Sequence, residues 1–233
     1  MKKKRILSFL LATVMASGLL AGCSSDEGKK GSGNEEGGKK DSIVIATMGE
    51  TPSLSPTEHN AVAGSYMNIL TYNTLFKTSM TLEPVPDLVD SYENVDDSTW
   101  HFKIKEGVKF HNGETMTADD VVASIQWAQG FAEVNLYNSD IVSITKVDDL
   151  TVEIKTDGPD AMLLSNLCHH GNAIVPKSLI DSGHDFNTDP VGTGPYKLVE
   201  WKRGDSLTFE AFDDYFLGAP KIKNMTWKII PEG

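Results

Sequence analysis

The sequence predicts a mixed α/β body, and three patterns carry that prediction. Trp100, Phe102 and Ile104 alternate with His101, Lys103 and Lys105, the period-two signature of a strand with one buried face. Thr117-Ala118-Asp119-Asp120 opens a helix running to about Gln129, with Thr117 as N-cap and Asp120 as the acidic partner of a capping box. Two pairs of apolar runs fold about turn residues: 141–155 about Asp148-Asp149, and 196–202 with 206–212 about Arg203-Gly204-Asp205. Short strands mixed with short helices over roughly 190 residues indicate a body in two lobes.

The remaining elements follow from local chemistry. Ile43-Val44-Ile45-Ala46 suits a buried strand. Two prolines exclude helix and ladder from Thr51-Pro52-Ser53-Leu54-Ser55-Pro56. Residues 61–76 are helix-like, with Met67, Ile69 and Leu70 on one side. Pro159 and Pro176 each stand at the favoured first position of a short helix. Residues 224–230 form a last strand with Met225, Trp227 and Ile229 on one face. Cys168 follows Met162-Leu163-Leu164 and Leu167, and reads as a small buried hydrophobe rather than a reactive thiol.

The N-terminal residues read as an address. Lys2, Lys3, Lys4 and Arg5 precede an apolar run from Ile6 to Leu20, then Leu20-Ala21-Gly22-Cys23. A basic head, a short apolar stretch and small residues at a cleavage point describe a secretion signal over residues 1–22. The run is short for a membrane span, which needs about 20 apolar residues. Leu-Ala-Gly-Cys resembles the bacterial lipobox, which makes Cys23 the expected lipidation site, its thiol carrying the anchor. An ordinary signal with an incidental cysteine, or an uncleaved anchor, is the plainer alternative. Residues 23–42 contain no large apolar side chain and read as a flexible tether. Four of the 21 Lys and Arg lie in residues 1–22 and none of the 33 Asp and Glu, so the remainder holds 17 basic against 33 acidic residues, a net of −16. That balance argues against nucleic acid or anionic lipid as a partner.

Several blocks then carry a family likeness in order and spacing. They are Leu82-Glu83-Pro84-Val85-Pro86-Asp87-Leu88-Val89-Asp90-Ser91-Tyr92, Trp100-His101-Phe102-Lys103-Ile104-Lys105, Gly107-Val108-Lys109-Phe110-His111-Asn112-Gly113-Glu114, Thr117-Ala118-Asp119-Asp120-Val121-Val122, Pro190-Val191-Gly192-Thr193-Gly194-Pro195-Tyr196, and Asp214-Tyr215-Phe216. From about Ile43 onward the chain resembles the extracellular solute-binding proteins of the oligopeptide, dipeptide and nickel ABC importers. The resemblance implies an α/β, periplasmic-binding-protein-like fold of type II with mixed sheets and an extra small domain. It implies two lobes that close on a solute by hinge motion and present it to a membrane permease. On this likeness residues 43–75 are the first part of lobe I, 76–185 the small extra domain and 186–233 the second part of lobe I. The chain is then expected to be the incomplete N-terminal part of a clamshell, with the opposite lobe missing. Where the family usually carries an acidic residue between leucine and proline, this sequence has Ser55, which weakens the mapping there.

The resemblance also points to a ligand edge. In the peptide-binding relatives the stretch matching Glu58 to Val62 lines the cleft and pairs its backbone with an extended peptide, which selects Asn60, Ala61 and Val62. Strand addition of this kind supplies affinity through backbone hydrogen bonds without reading side chains. The same segment also reads as a plain loop leading into a helix. Tyr137 is a candidate aromatic wall, or else an ordinary core or surface tyrosine. Phe110-His111-Asn112-Gly113-Glu114 holds His and Glu, but Asn-Gly marks a turn. Gly192-Thr193-Gly194-Pro195 lacks the Lys-Ser/Thr ending of a phosphate loop and precedes a strand, so close backbone approach in a crossover turn is expected. His169 and His170 on a helix would diverge by about 100° and could not share an ion. No His-Glu-x-x-His, Cys-x-x-Cys or Gly-x-Ser-x-Gly occurs.

The expected function is therefore a substrate-binding lipoprotein of an ABC importer, not an enzyme, with no cofactor and no metal. It takes oligopeptides or dipeptides, meets permease subunits and the membrane through its lipid anchor, and works as a monomer. It sits on the outer face of the cell membrane or in the periplasm. A receptor of the same fold for a nickel or other metal chelate is the first alternative, and a surface lipoprotein hydrolase the second.

Overall fold

A computed structural model describes residues 41–230. The expected secretion signal, Cys23 and nearly all of the tether lie outside them. The chain opens with β1 (Ser42–Thr47), crosses the proline-rich turn and enters α1 (Val62–Thr71). β2 (Phe76–Thr78) and β3 (Pro84–Pro86) form a short antiparallel pair. β4 (Val89–Asp96) and β5 (Thr99–Ile104) lead into α2 (Ala118–Gln129), followed by β6 (Ile141–Asp148) and β7 (Thr151–Thr156). α3 (Leu163–Asn166) and α4 (Lys177–Ser182) precede β8 (Tyr196–Lys202), β9 (Ser206–Ala211) and β10 (Asn224–Ile229).

Two four-stranded sheets result. One has the order β4-β5-β7-β6, all antiparallel. The other has the order β1-β10-β9-β8, with β1 parallel to β10 and Ile43 opposite Met225. Phe76, Phe102, Phe110, Ile125 and Ile154 form the centre of the larger core, where α2 covers the first sheet. Each fully buried side chain of this size contributes roughly 1.5–3 kcal/mol. A second core joins Leu54 and Met67 of the segment around α1 to Leu207, Phe209 and Met225 of the other sheet.

α2 starts as its sequence requires. Thr117 caps it, and the Thr117 N–H donates to Asp120 Oδ2 over 2.8 Å in a capping box. The other Asp120 oxygen accepts from Lys177 N–H at 2.8 Å, so one buried carboxylate fastens the starts of two helices. The crossover glycines meet the expectation of close approach. Gly194 N–H donates to Thr71 O at 2.9 Å, and a Cβ on Gly194 would lie 2.4 Å from Thr71 C. His111 adds a clamp: its backbone N–H donates to Gly192 O at 2.9 Å and its Nε2 to Gly194 O at 2.9 Å.

Several local expectations need correction. β1 is a strand but not a buried one: it lies at its sheet's edge, and Val44 is 70 % exposed. α1 ends at Thr71, because Asn73, Thr74 and Leu75 give their carbonyls to Ile174, Leu88, Asp87 and Val89 instead of to a helix. Ile69 faces outward at 66 % exposed, away from the buried Met67. In the 141–155 hairpin the apolar run is not all inward: Ile141 and Ile144 are buried, whereas Val142 and Val147 are exposed. Pro159 does not open a helix: Asp160 Oδ1 accepts from Met162 N–H at 2.7 Å, and the helix starts at Leu163. Pro176 is the N-cap of α4 rather than its first residue.

Candidate functional site

The site is built on the stretch between the proline turn and α1. Buried hydroxyls hold the turn: Ser53 Oγ donates to Glu58 Oε2 at 2.9 Å, and Ser55 Oγ lies 3.2 Å from Thr57 Oγ1. Ser55, which stands where the resembled family carries a carboxylate, is thus a buried structural hydroxyl. His59 turns inward against α1 at Gly64, where a Cβ would lie 2.0 Å from the ring. Its Nδ1 accepts from Ala61 N–H at 3.2 Å, which leaves the proton on Nε2, 3.3 Å from the Asn68 side-chain amide. Ala61 has an extended backbone, φ −91° and ψ 137°. Ala61 N–H goes to His59, and Ala61 O accepts from Ser65 N–H. The Asn60 N–H and C=O and the Val62 N–H have no partner among the described residues.

The opposite wall comes from two short 3₁₀ turns, Asn135–Tyr137 and His170–Asn172. Asn138 Nδ2 donates to Asn172 Oδ1 at 2.6 Å and ties one turn to the other. His169 is the N-cap of the second turn and has extended backbone, so the two histidines do not diverge as they would on a helix. Their ring centroids lie 4.1 Å apart, and the His169 ring stacks on Tyr137 at 3.6 Å. Asn60 closes the arrangement: its Oδ1 lies 3.2 Å from His169 Nε2, and its Nδ2 donates to Tyr137 Oη at 3.3 Å. His170 Nε2 donates to His59 O at 3.2 Å, and its Nδ1 faces Ser65 Oγ at 3.3 Å.

Burial first, then the neighbouring imidazoles, hold His59 at a pKa of about 4 and His169 at about 3. Burial also lowers His170, against the hydrogen bond to His59 O. All three rings are neutral at pH 7. Their lone pairs are mostly spent on backbone donors, and among the described residues no group of three or more His, Cys, Asp or Glu side chains could hold a metal ion.

Two cavities open beside this wall. One of about 300 Å³ is lined by Ser65, Ile69, Tyr137, Cys168, His169 and His170, with no charged side chain. Its neighbour, about 380 Å³, shares Ile69, Cys168 and His170 and reaches Lys77, Asp87 and Tyr215. Asp87 is buried and takes Lys77 Nζ at 3.0 Å and Asn73 Nδ2 at 2.7 Å. Cys168 is half-buried rather than core, and burial pushes its thiol pKa up. Among the described residues no helix is long and apolar enough to cross a membrane.

Of the residues selected from sequence, Asn60 and Tyr137 meet directly, although 77 residues separate them. Ala61 lies beside them with its N–H already engaged, and Val62 is exposed at the start of α1. His59, Ser65, His169 and His170 were not among the selected residues. Only their types hinted at a role, because the contact between His170 and His59 spans 111 residues.

A polar edge formed by Asn60, Tyr137 and His169 stands beside open cavities, and comparison with known proteins identifies the family. The family model of the bacterial extracellular solute-binding proteins, family 5 Middle, matches residues 83–233, and the chain belongs to that family. Among curated relatives it is 29 % identical to the oligopeptide-binding protein AppA of Bacillus subtilis, over 100 % of this chain and 46 % of AppA. It is 30 % identical to the nickel-binding protein NikA of Staphylococcus aureus, over 97 % of this chain and 42 % of NikA. Among solved structures, that of AppA from Bacillus subtilis in complex with a nonapeptide superposes with a TM-score of 0.75 at 30 % identity, covering 82 % of this chain and 40 % of that one. The fold is thus that of the family 5 substrate-binding proteins, and the chain spans less than half the length of the curated relatives it matches.

Proposed function

We propose that this chain forms the N-terminal part of a substrate-binding lipoprotein of an ABC importer, which captures peptides outside the cell and passes them to a membrane permease. The reading divides the body as the resemblance does, with residues 43–75 and 186–233 in lobe I and 76–185 as the extra domain. Cys23 carries the lipid anchor, the protein acts as a monomer, and it performs no bond chemistry. One observation supports the peptide reading above all. Asn60 offers an N–H and a C=O that are unpaired among the described residues, next to an extended Ala61 and against Tyr137, which lines one of the cavities. A residue presenting both groups can exchange both with one residue of an extended peptide, as a hydrogen-bonded pair does in an antiparallel ladder.

The test is thermal unfolding of the protein from its complete reading frame against a tetrapeptide library. A ligand at a hundredfold excess over its Kd raises stability by about 2.7 kcal/mol. No stabilisation by any peptide would sink the reading. The likeness to nickel-binding NikA favours a metal chelate as the second reading. Stabilisation by nickel with free L-histidine, and not by peptides, would establish it instead. Palmitate labelling that disappears in Cys23→Ser checks the anchor.

A further inference from the structure

The hydrogen bonds around Tyr137 run in one direction, and a backbone amide fixes that direction. Gly171 N–H donates to His169 Nδ1 at 3.1 Å. A backbone N–H can only donate, so His169 Nδ1 accepts and, in the neutral ring, Nε2 carries the proton. Nε2–H must then face an acceptor, which at 3.2 Å is Asn60 Oδ1. The amide orientation that follows turns Asn60 Nδ2–H onto Tyr137 Oη at 3.3 Å. The reverse orientation would set two donors face to face at His169. The phenol oxygen is therefore already an acceptor, and its own O–H is left to donate elsewhere. Tyr137 lines the uncharged cavity beside the Asn60 edge.

We propose that Gly171, His169 and Asn60 form a one-way relay that fixes the Tyr137 hydroxyl as a hydrogen-bond donor to an acceptor oxygen of the bound solute, a peptide carbonyl or carboxylate. Tyr137 touches the ligand, whereas His169 and Asn60 are positioning residues. The proposal deepens the peptide reading and rests on it for the ligand, but the relay itself exists without ligand. Its polarity also holds across neutral and mildly acidic pH, because burial keeps His169 neutral down to about pH 3.

The test has two arms. In the first, nitrogen-15 NMR of the ligand-free protein reads the His169 tautomer at pH 7. The Nε2–H form is expected, and an Nδ1–H form or an imidazolium overturns the relay. The second arm measures tetra-alanine binding, a probe whose only acceptors are carbonyl and carboxylate oxygens, to wild type, Tyr137→Phe, Asn60→Asp and the double variant. A carboxylate at position 60 cannot donate to the phenol and instead accepts the hydrogen bond of its O–H, turning it away from the solute. Each single variant is expected to weaken binding about three- to tenfold, the worth of one hydrogen bond, and the double variant no further. Losses that multiply, or an Asn60→Asp variant that binds like wild type, overturn the relay. Failure of wild type to bind tetra-alanine counts against the peptide reading, and the tautomer then decides the relay alone.

Discussion

Replacing Gly64 with alanine changes the sign of its effect according to what occupies position 59. The new Cβ would lie 2.0 Å from His59 Cε1, 2.4 Å from Nε2 and 2.7 Å from Nδ1. No contact of that length survives, so the imidazole must leave its buried place. Departure breaks the hydrogen bonds to Ala61 N–H and the Asn68 amide, each worth about 1 kcal/mol. It also exposes a buried ring, for a further 1–2 kcal/mol or so. Helix propensity works the other way, since alanine inside a helix is favoured over glycine by about 1 kcal/mol. The net expectation is a loss of about 2–3 kcal/mol. In a His59→Ala background the obstruction is gone and only the propensity gain remains, so the same substitution stabilises by up to about 1 kcal/mol. Urea unfolding of wild type, both single variants and the double variant, followed by tryptophan fluorescence, measures the cycle. An equal effect of Gly64→Ala in both backgrounds would refute the packing argument.

Four further outcomes are expected. Gly194→Ala places a Cβ 2.4–2.6 Å from the Leu70 and Thr71 backbone; overpacking with a lost hydrogen bond costs about 2–4 kcal/mol. Gly158→Ala, with nothing within 4 Å, moves the urea midpoint by no more than about 0.5 kcal/mol in equivalent stability. Asp120→Ala leaves the Thr117 and Lys177 amides without their acceptor and lowers stability by about 2–4 kcal/mol, measured the same way. Acid weakens the fold through its histidines. Burial holds His59 and His111 at about 4, while the imidazoles of the unfolded chain protonate near their ordinary value of 6.5. Between those values the unfolded state binds more protons, so stability is intact above about pH 6.5, falls as pH drops toward 4, and levels off below. His111 alone contributes up to about 3 kcal/mol, so His111→Gln, though less stable at pH 7, shows a shallower decline of urea midpoint over that range.

The elements that the sequence announced are those whose causes lie within a few residues. The Thr117–Asp120 box, the turns at Asp148-Asp149 and at Gly204, and the alternation of Phe102 and Ile104 all act locally, and the structure has them. The misses have distant causes. Helix α1 stops short because Ile174, Leu88 and Gly194, all far along the chain, take up its neighbouring carbonyls. Ile69 points outward because the buried side of α1 is set by the sheet it meets, not by which residues are apolar. The histidine cluster was invisible for the same reason. A helix over 169–170 would part the two rings, but His169 is extended ahead of the short turn that begins at His170, and the partner ring of His59 stands more than a hundred residues upstream. Asn60 was selected through a family likeness, which carries long-range information that spacing alone does not, whereas its contact with Tyr137 is visible only in the fold.

The pairing of β1 with β10 has a temporal side. Asn224 sits opposite Ser42, 182 positions later in the chain, and β10 is the only described strand that β1 touches. At a synthesis rate of about 5–20 residues per second, the first strand waits roughly 10–40 s before its neighbour even leaves the ribosome. Until then that sheet has an open seam and cannot close. A polypeptide that must pass through a narrow channel before it folds gains from such a delay, because its earliest residues have nothing to lock onto while the rest is still being made.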